Sequence, residues 1–460
     1  SRQMSSRRNF LRQASRWGVG ALGASTGLYS VNGHSAAPPG YKALVVVHLG
    51  GGCDTHDVLV PLDGSYSDYA KSRPGIALTR DQISALPGTH LGHSMGLNKA
   101  MADLLPLFAN QRLGFVVNAG ALVKPTTVSD VLNGRATLPP FLYSHLEQTQ
   151  YVQGWTGDAD PSGWAGRAIE ALNTDRSLKA PLLSINGYDN TLTLGQRSRM
   201  IMAGTGGSGW MGAANLTDPA NHWTQTLASL ARLQSTNHVE AEYARTFKGV
   251  FSDAQEIAIA DNATAAPQGD FGTDELAQRL RFMAKIMPYY KSAGASRQVY
   301  YTQWGSFDTH ANQRNTNNTS GNADLDTQLG QMAKALAAFD TAINAAGLGR
   351  EVAVLVMSEF GRTLDQAAGN GTDHAWASHW LVMGQSVGGG KLYGNTFPSL
   401  VQGGADDAHS GKRGYYVPQW SSDQVAADLL TWLGLPASAL TSVLPNLANF
   451  ASKTVGFMNA

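Results

Sequence analysis

Apolar and β-branched residues occur in four continuous runs that predict buried strands. The runs are 42–48, 113–118, 298–303 and 352–357. Runs of this kind are typical of strands that are covered on both faces, as in a parallel sheet with helices on each side. A fifth run, 379–384, begins where a site at the strand ends would lie, so it is predicted to run antiparallel and to make the sheet mixed.

Between these runs, apolar residues recur at helical spacing. Leu325, Leu329 and Met332 belong to such a pattern, which predicts a helix over 323–346 that returns the chain to the next strand. Further helices are predicted at 99–108, at 221–260 and at 274–292. The region from about 221 to 292 is interpreted as a helical insertion against the sheet. The fold class is therefore α/β with a mostly parallel, mixed central sheet.

Asp and His residues are concentrated in segments that follow the apolar runs. The candidate metal ligands in these segments are Asp54, Asp308, His310, Asp373, His374 and His379. Ligands of parallel α/β sheets bind beyond the carboxyl ends of the strands, so these side chains are predicted to meet at one edge of the sheet. Carboxylates and imidazoles together suit divalent metals. For Asp54 a second role stays open, because an Asp after a Gly-rich turn can cap the next helix.

The first 35 residues have the features of a twin-arginine export signal. Arg7 and Arg8 precede Phe10 and Leu11, a weakly apolar stretch follows, and small residues lie around the expected cleavage after Ser35. The apolar stretch is shorter than the about 20 residues that a membrane span needs. Residues 36–460 are then expected to form one domain that is exported folded, by the twin-arginine translocase, to the periplasm or beyond. The alternative is a basic amphipathic N-terminal helix.

Charge and cysteine content narrow the classes of function. Lys plus Arg and Asp plus Glu each number 34, so the chain lacks the basic surplus expected of a nucleic-acid-binding or membrane-surface protein. The single cysteine, Cys53, excludes an intramolecular disulfide. An exported protein of this composition depends on its hydrophobic core alone.

Four motifs spread over the chain resemble those of one family. They are Phe-Asp-Thr-His-Ala-Asn-Gln at 307–313, Ser-Glu-Phe-Gly-Arg-Thr at 358–363, Gly-Thr-Asp-His at 371–374, and a tail motif made of Val-Pro at 417–418, Ser-Asp-Gln at 422–424, Trp-Leu-Gly at 432–434 and Leu-Pro-Asn-Leu at 444–447. In these the chain resembles the domain of unknown function 1501 family, which is placed in the alkaline phosphatase and sulfatase superfamily. The resemblance implies a three-layer αβα sandwich of the alkaline phosphatase type. It also implies a two-metal hydrolase of phosphate or related anionic esters.

The superfamily's order of ligands implies how two divalent ions would be held. Carried over, it assigns Asp54, Asp373 and His374 to one metal, and Asp308, His310 and His379 to the other. Zinc, manganese and calcium are not distinguished. The superfamily spaces its Asp and His by four residues, whereas Asp308 and His310 are two apart and Asn312 occupies the expected place. Either His310 or Asn312 is then the ligand, or neither.

The resemblance also suggests the residues that would act on the substrate. Ser144 falls at the family's Ser-His position after the second strand and is the preferred nucleophile, with Thr55 as the second choice. Arg362 is a candidate to grip a substrate oxygen, although it could also form a structural ion pair with Glu359. The Cys/Ser-x-Pro-x-Arg signature of formylglycine sulfatases is absent around Cys53. The competing hypothesis is a non-catalytic exported protein that keeps the fold and uses these loops to bind metal or a partner.

Overall fold

The structure, a computed structural model, describes residues 38–173, 178–185, 190–205, 218–314 and 324–459. The predicted export signal lies outside them. A nine-stranded sheet and a three-stranded sheet are formed by the described residues. The strands are Lys42–Leu49 (β1), Leu59–Pro61 (β2), Ile83–Ala85 (β3), Met95–Asn98 (β4), Leu113–Gly120 (β5), Leu182–Ile185 (β6), Ile201–Ala203 (β7), Arg297–Trp304 (β8), Val352–Ser358 (β9), Ser378–Met383 (β10), Leu392–Tyr393 (β11) and Trp420–Ser421 (β12).

The α-helices surround the large sheet. They are Tyr66–Ser72 (α1), Leu105–Ala109 (α2), Val128–Leu132 (α3), His145–Val152 (α4), Trp164–Leu172 (α5), His222–Leu230 (α6), His238–Ala263 (α7), Glu275–Ser292 (α8), Leu325–Ala345 (α9), Ser422–Leu433 (α10) and Leu440–Val443 (α11). Among the described helices, none has both the length and the hydrophobicity of a membrane span.

The large sheet is mixed because one strand runs against the others. Its order is β11-β5-β10-β9-β1-β8-β6-β7, with β12 beside β5. The strand β10 pairs antiparallel with β5 and β9, and the remaining pairs are parallel. The four strands predicted from the apolar runs are β1, β5, β8 and β9, and the predicted antiparallel strand is β10. The mixed, mostly parallel sheet is therefore confirmed.

Two hydrophobic cores lie on opposite faces of this sheet. Because successive side chains of a strand point to opposite faces, Val45 and Val47 of β1 belong to one core and Leu44 and Val46 to the other. The first core contains the apolar faces of α8 and α9, and the second contains those of α5 and α10. The protein is thus an αβα sandwich of three layers.

The region interpreted as a helical insertion divides into two parts. The helix α8 buries ten side chains and belongs to the first core. The helices α6 and α7 form a small cluster of their own around Leu227 and Phe251, although Ile257 and Ala260 of α7 reach the first core. The helix α8 is therefore part of a main layer, and the peripheral part is formed by α6 and the first half of α7.

A buried network of charges fixes the loop that follows β1. Arg73 Nη1 lies 2.6 Å from Asp54 Oδ2 and 2.9 Å from Asp57 Oδ1, and all three side chains are fully buried. Arg314 contacts Asp57 as well, and its Nε lies 2.9 Å from Asp326 Oδ2. Burial would raise the pKa of Asp57, but Arg314 and Arg73 lower it to about 2. Both cations therefore keep this buried carboxylate ionised.

We expect Arg73→Met to lower the free energy of unfolding by about 3–5 kcal/mol, because it leaves two buried carboxylates without their shared cation. Denaturant-induced unfolding followed by circular dichroism measures the change. The control is Arg245→Ala, which removes an exposed ion pair with Glu242 and should leave the free energy of unfolding nearly unchanged. Equal stability of the Arg73 variant and the wild type would show that the network contributes nothing.

Candidate metal site

The candidate site lies at the carboxyl ends of β1, β8 and β9, which are neighbours in the sheet. The loop after β8 and the loop after β9 are joined directly, since the Thr372 N–H donates to the Thr309 carbonyl over 2.9 Å and the Asn312 N–H donates to the Gly369 carbonyl over 2.8 Å. Residues 362 and 374 also form an isolated β-bridge. These links bring distant parts of the chain to one place.

Asp308 lies at the centre of a cluster of imidazoles. Its Oδ1 is 2.9 Å from His310 Nε2 and 3.2 Å from His374 Nε2, and its Oδ2 is 3.3 Å from His145 Nε2. Ligand atoms of His145, Asp308 and His374 all lie within 4.8 Å of one another. Two imidazoles and a carboxylate form a donor set that can hold a divalent ion of the zinc or manganese type.

Each imidazole is oriented by a hydrogen bond on the side away from the cluster. His145 Nδ1 lies 2.9 Å from Glu359 Oε1, His374 Nδ1 lies 2.8 Å from the Tyr143 carbonyl, and His310 Nδ1 lies 3.0 Å from Asp373 Oδ1. Because these oxygens only accept, each Nδ1 donates and each neutral ring turns an Nε2 lone pair towards the cluster. Metal-binding histidines are held in this way.

The cluster is difficult to explain without a positive charge inside it. His310 Nε2 and His374 Nε2 are 3.1 Å apart, and two lone pairs at that distance repel each other unless a proton or a cation lies between them. His145 Nε2 is buried and makes no hydrogen bond with suitable geometry among the described residues, although Asp308 Oδ2 lies 3.3 Å from it. Atoms bound about 2.0–2.1 Å from a tetrahedral zinc are about 3.3 Å apart. The observed separations therefore fit a bound cation.

The protonation states of Asp308 and of the neighbouring imidazoles suit the binding of a cation. Burial would raise the pKa of Asp308, but the hydrogen bond and charge of Arg362 lower it to about 2. The hydrogen bond to Glu359 raises the pKa of His145, whereas burial lowers the pKa of His374. At neutral pH Asp308 is thus an anion, and a proton and a cation compete for His145 Nε2.

Glu359 supports the cluster from behind. Its carboxylate is buried and accepts hydrogen bonds from the Gly51 N–H at 2.7 Å and from Ser358 Oγ at 3.1 Å, and it lies 3.2 Å from His48 Nε2. Burial would raise the pKa of Glu359, but hydrogen bonds from His145 and His48 outweigh burial and hold it below its usual range. Glu359 thus contacts His48 and His145 and does not form the possible ion pair with Arg362.

Arg362 contacts the protein with its whole guanidinium group. Its Nε donates to the Gly52 carbonyl at 2.8 Å, its Nη1 donates to the Thr372 carbonyl at 3.0 Å, and its Nη2 contacts Asp308 and the Gly51 carbonyl. The side chain is fully buried. This corrects the expectation that Arg362 grips the substrate, because its donors hold Asp308 and two loops in place.

Three of the predicted site residues lie outside the cluster. The Asp54 carboxylate is occupied by Arg73 and by Gln313 Nε2, which is 2.6 Å away. The buried His379 ring accepts at Nδ1 from the Asn118 N–H at 3.1 Å, and burial lowers its pKa to about 3. Thr55 Oγ1 accepts from the His379 N–H at 2.8 Å. The structure therefore brings together Asp308, His310, Asp373 and His374, and it separates the other three residues from them.

The start of α4 carries the preferred nucleophile, Ser144, and a candidate ligand that the sequence interpretation missed, His145. Ser144 is the residue that precedes the first turn of α4, and its Oγ contacts the Glu147 carboxylate. Tyr143 on one side accepts the His374 hydrogen bond, and His145 on the other enters the cluster. The Ser-His pair at a helix start beyond β5 is the signal that could have identified His145 as a ligand.

Comparison with known proteins gives a family and distant structural neighbours. Residues 41–406 match the family model described as "Protein of unknown function (DUF1501)". The comparison with curated proteins gave no match.

Three solved structures illustrate the neighbours. The zinc complex of the C-terminal periplasmic domain of EcEptC from Escherichia coli is 9% identical, with 88% of this chain and 85% of that chain covered and a TM-score of 0.36. The lipoteichoic acid synthase LtaP from Listeria monocytogenes is 8% identical, with 86% and 72% covered and a TM-score of 0.35. A protein in the alkaline phosphatase superfamily from Vibrio parahaemolyticus is 11% identical, with 76% and 62% covered and a TM-score of 0.31.

We expect the protein purified from metal-replete medium to contain a divalent transition metal, and His145→Ala to lose it. The Glu359→Gln variant keeps His145 but should bind the metal about 10–100-fold more weakly, because the carboxylate that orients the His145 ring is lost. Elemental analysis and titration of chelator-treated protein measure both effects. His238→Ala is the control, since His238 is exposed at the start of α7. Wild-type metal content in His145→Ala would exclude His145 as a ligand.

Proposed function

The chain belongs to the DUF1501 family, and we propose that it is an exported, metal-dependent hydrolase of phosphate esters or related anionic esters. The observation that carries the proposal is the cluster in which His310 and His374 direct lone pairs at each other across 3.1 Å beside Asp308. A cation between these nitrogens would remove their repulsion, and the cluster lies where enzymes of this architecture bind their ligands. The twin-arginine pattern near the N-terminus supports export in the folded state.

His145, Asp308 and His374 would hold the ion, with His310 as a further ligand. A divalent ion in this position would supply charge that polarises the ester and stabilises the leaving oxygen. Asp373 acts through His310, because its Oδ1 fixes that ring while its Oδ2 lies 2.6 Å from Arg413 Nη1. In this scheme the cluster accounts for one metal, because it combines Asp308 and His310 of one predicted ligand set with His374 of the other. Asp54 and His379, the remaining carboxylate and imidazole outside the cluster, are hydrogen-bonded elsewhere.

Ser144 is the proposed nucleophile. Its hydroxyl faces the Glu147 carboxylate, which can accept the proton as Oγ forms a bond to phosphorus and the bond to the leaving oxygen breaks. Its neighbours on both sides, Tyr143 and His145, contact the cluster, so Ser144 lies between two residues of the site. Thr55 is the weaker candidate, because its hydroxyl is buried against the backbone of His379.

Arg413 is the proposed contact for the anionic group of the substrate. Unlike Arg362, it is 30% exposed, and it is tied to the site through Asp373. Next to it Tyr415 packs against Tyr143 with ring centroids 5.1 Å apart. A guanidinium and two rings beside the cluster favour a substrate with an anionic centre next to a planar or apolar group.

We expect Ser144→Ala to lower kcat for p-nitrophenyl phosphate or bis-p-nitrophenyl phosphate by at least about 10³-fold while metal content stays unchanged. Thr55→Ala is the matched hydroxyl control and should stay near the wild-type kcat. A larger loss in the Thr55 variant would reverse the assignment. Full metal binding by a wild-type protein that hydrolyses none of a panel of phosphate and sulfate esters would favour the non-catalytic binding protein.

We expect Arg413→Ala to raise KM by about 10–100-fold, because a charged hydrogen bond to the substrate is lost. Steady-state kinetics and inhibition by inorganic phosphate measure this. Lys412→Ala removes the same charge from the adjacent exposed position and should leave KM unchanged. If Arg413→Ala has the wild-type KM and is inhibited by phosphate as strongly as the wild type, Arg413 does not contact the substrate.

A further inference from the structure

Gln313 is a buried glutamine that makes four hydrogen bonds to side chains. Its Nε2 donates to Asp54 Oδ2 at 2.6 Å and to Asp57 Oδ2 at 3.0 Å. Its Oε1 accepts from Thr309 Oγ1 at 3.0 Å and from Thr372 Oγ1 at 3.0 Å. The side chain is completely buried. A primary amide has two N–H donors and two acceptor sites, so its capacity is used in full.

The surroundings determine which way this amide faces. The carboxylate of Asp57, which Arg314 and Arg73 keep ionised, can only accept, so the NH₂ group must point to Asp57 and to the neighbouring Asp54. The oxygen then faces the two threonine hydroxyls, and both hydroxyls must donate. The amide therefore has one favourable orientation, and the buried ion-pair network around Arg73 is what fixes it.

The two threonines belong to the two loops that form the candidate metal site. Thr309 follows Asp308 directly, and Thr372 directly precedes Asp373. One oxygen atom of Gln313 thus holds both loops, beside the backbone hydrogen bond that joins Thr372 to Thr309. A shift of Gln313 would change the separation of the loops and hence the spacing of the cluster.

We propose that Gln313 is a positioning residue, which transmits the rigidity of the buried Asp54, Asp57 and Arg73 network to Asp308 and to Asp373, the partner of His310. This inference rests on the proposed metal-dependent function. Gln313 itself contacts neither the ion nor the substrate. It sets the distance between the loops so that the site is formed before the ion binds, which lowers the cost of binding.

The test is Gln313→Met, which keeps the length of the side chain but removes all four hydrogen bonds. We expect the affinity of chelator-treated protein for Zn²⁺ and Mn²⁺ to fall about 10–100-fold in calorimetric titrations, as for other supporting residues of metal sites. We also expect kcat to fall more than KM rises, because the substrate contact at Arg413 remains.

Gln298→Met is the matched control. Gln298 is also completely buried and makes three hydrogen bonds of the same kinds, accepting from Tyr41 at 2.7 Å and from Tyr300 at 2.9 Å and donating to the Ala180 carbonyl at 2.9 Å. It lies at the amino end of β8, whereas the site follows the carboxyl end. Its variant should lose thermal stability to a similar extent and keep the wild-type metal affinity.

The outcomes separate this inference from the proposed function. Wild-type metal affinity in Gln313→Met, together with lower stability, would show a purely structural role and overturn the inference alone. A wild-type protein that binds neither ion would overturn the proposed function and the inference together.

Should Gln313→Met not fold, Thr309→Val and Thr372→Val decide the question, because each removes one hydroxyl contact and leaves the ion-pair network intact. Each is expected to weaken metal binding, and unchanged affinity in both would refute the inference.

Discussion

The carboxylates at one edge of the sheet can lie close together because guanidinium groups neutralise them, two of which are fully buried and one partly exposed. Arg73 pairs with Asp54 and Asp57, Arg362 contacts Asp308, and Arg413 pairs with Asp373. A buried carboxylate without such a partner costs several kcal/mol or takes up a proton. The arginines also bind backbone carbonyls of the neighbouring loops, as Arg73 does at Thr363 and Leu364. Charge neutralisation and loop placement are therefore achieved by the same side chains.

This arrangement divides the acidic residues into two groups with different roles. Asp54 and Asp57 have their oxygens occupied by Arg73, Arg314 and Gln313, and they stabilise the loop after β1. Asp308 is 41% exposed and keeps one oxygen towards His145, so it remains accessible to an ion from solvent. Proximity to the strand ends was thus necessary for a ligand but not sufficient. Asp54 and Asp57 are removed from the set of ligands because both oxygens of each are bonded to buried donors, whereas Arg362 contacts only one oxygen of Asp308.

Much of the fold could be predicted from the sequence because it depends on local periodicity. The buried strands, the antiparallel β10 and the helix α9 follow from runs and spacings that a reader can see. The meeting of Asp308 with Asp373 and His374 follows from strand ends sharing an edge. The contact of Asp54 with Gln313 could not be predicted, since it joins positions 259 residues apart through side-chain directions. His379 is a predicted ligand, but it lies within β10, and the pleat of this strand directs its ring into the protein interior.

Glu359 shows how the site depends on the sheet beneath it. Its carboxylate joins His48 of β1, the Gly51 N–H of the loop after β1, and His145 at the start of α4. The Glu359 carboxylate therefore both fixes the start of α4 against the sheet and orients His145, the proposed ligand. Because Ser144 immediately precedes His145, any movement of this carboxylate would displace the ligand and the candidate nucleophile together. The placement of both the proposed ligand and the proposed nucleophile thus depends on one buried acid that lies behind the cluster.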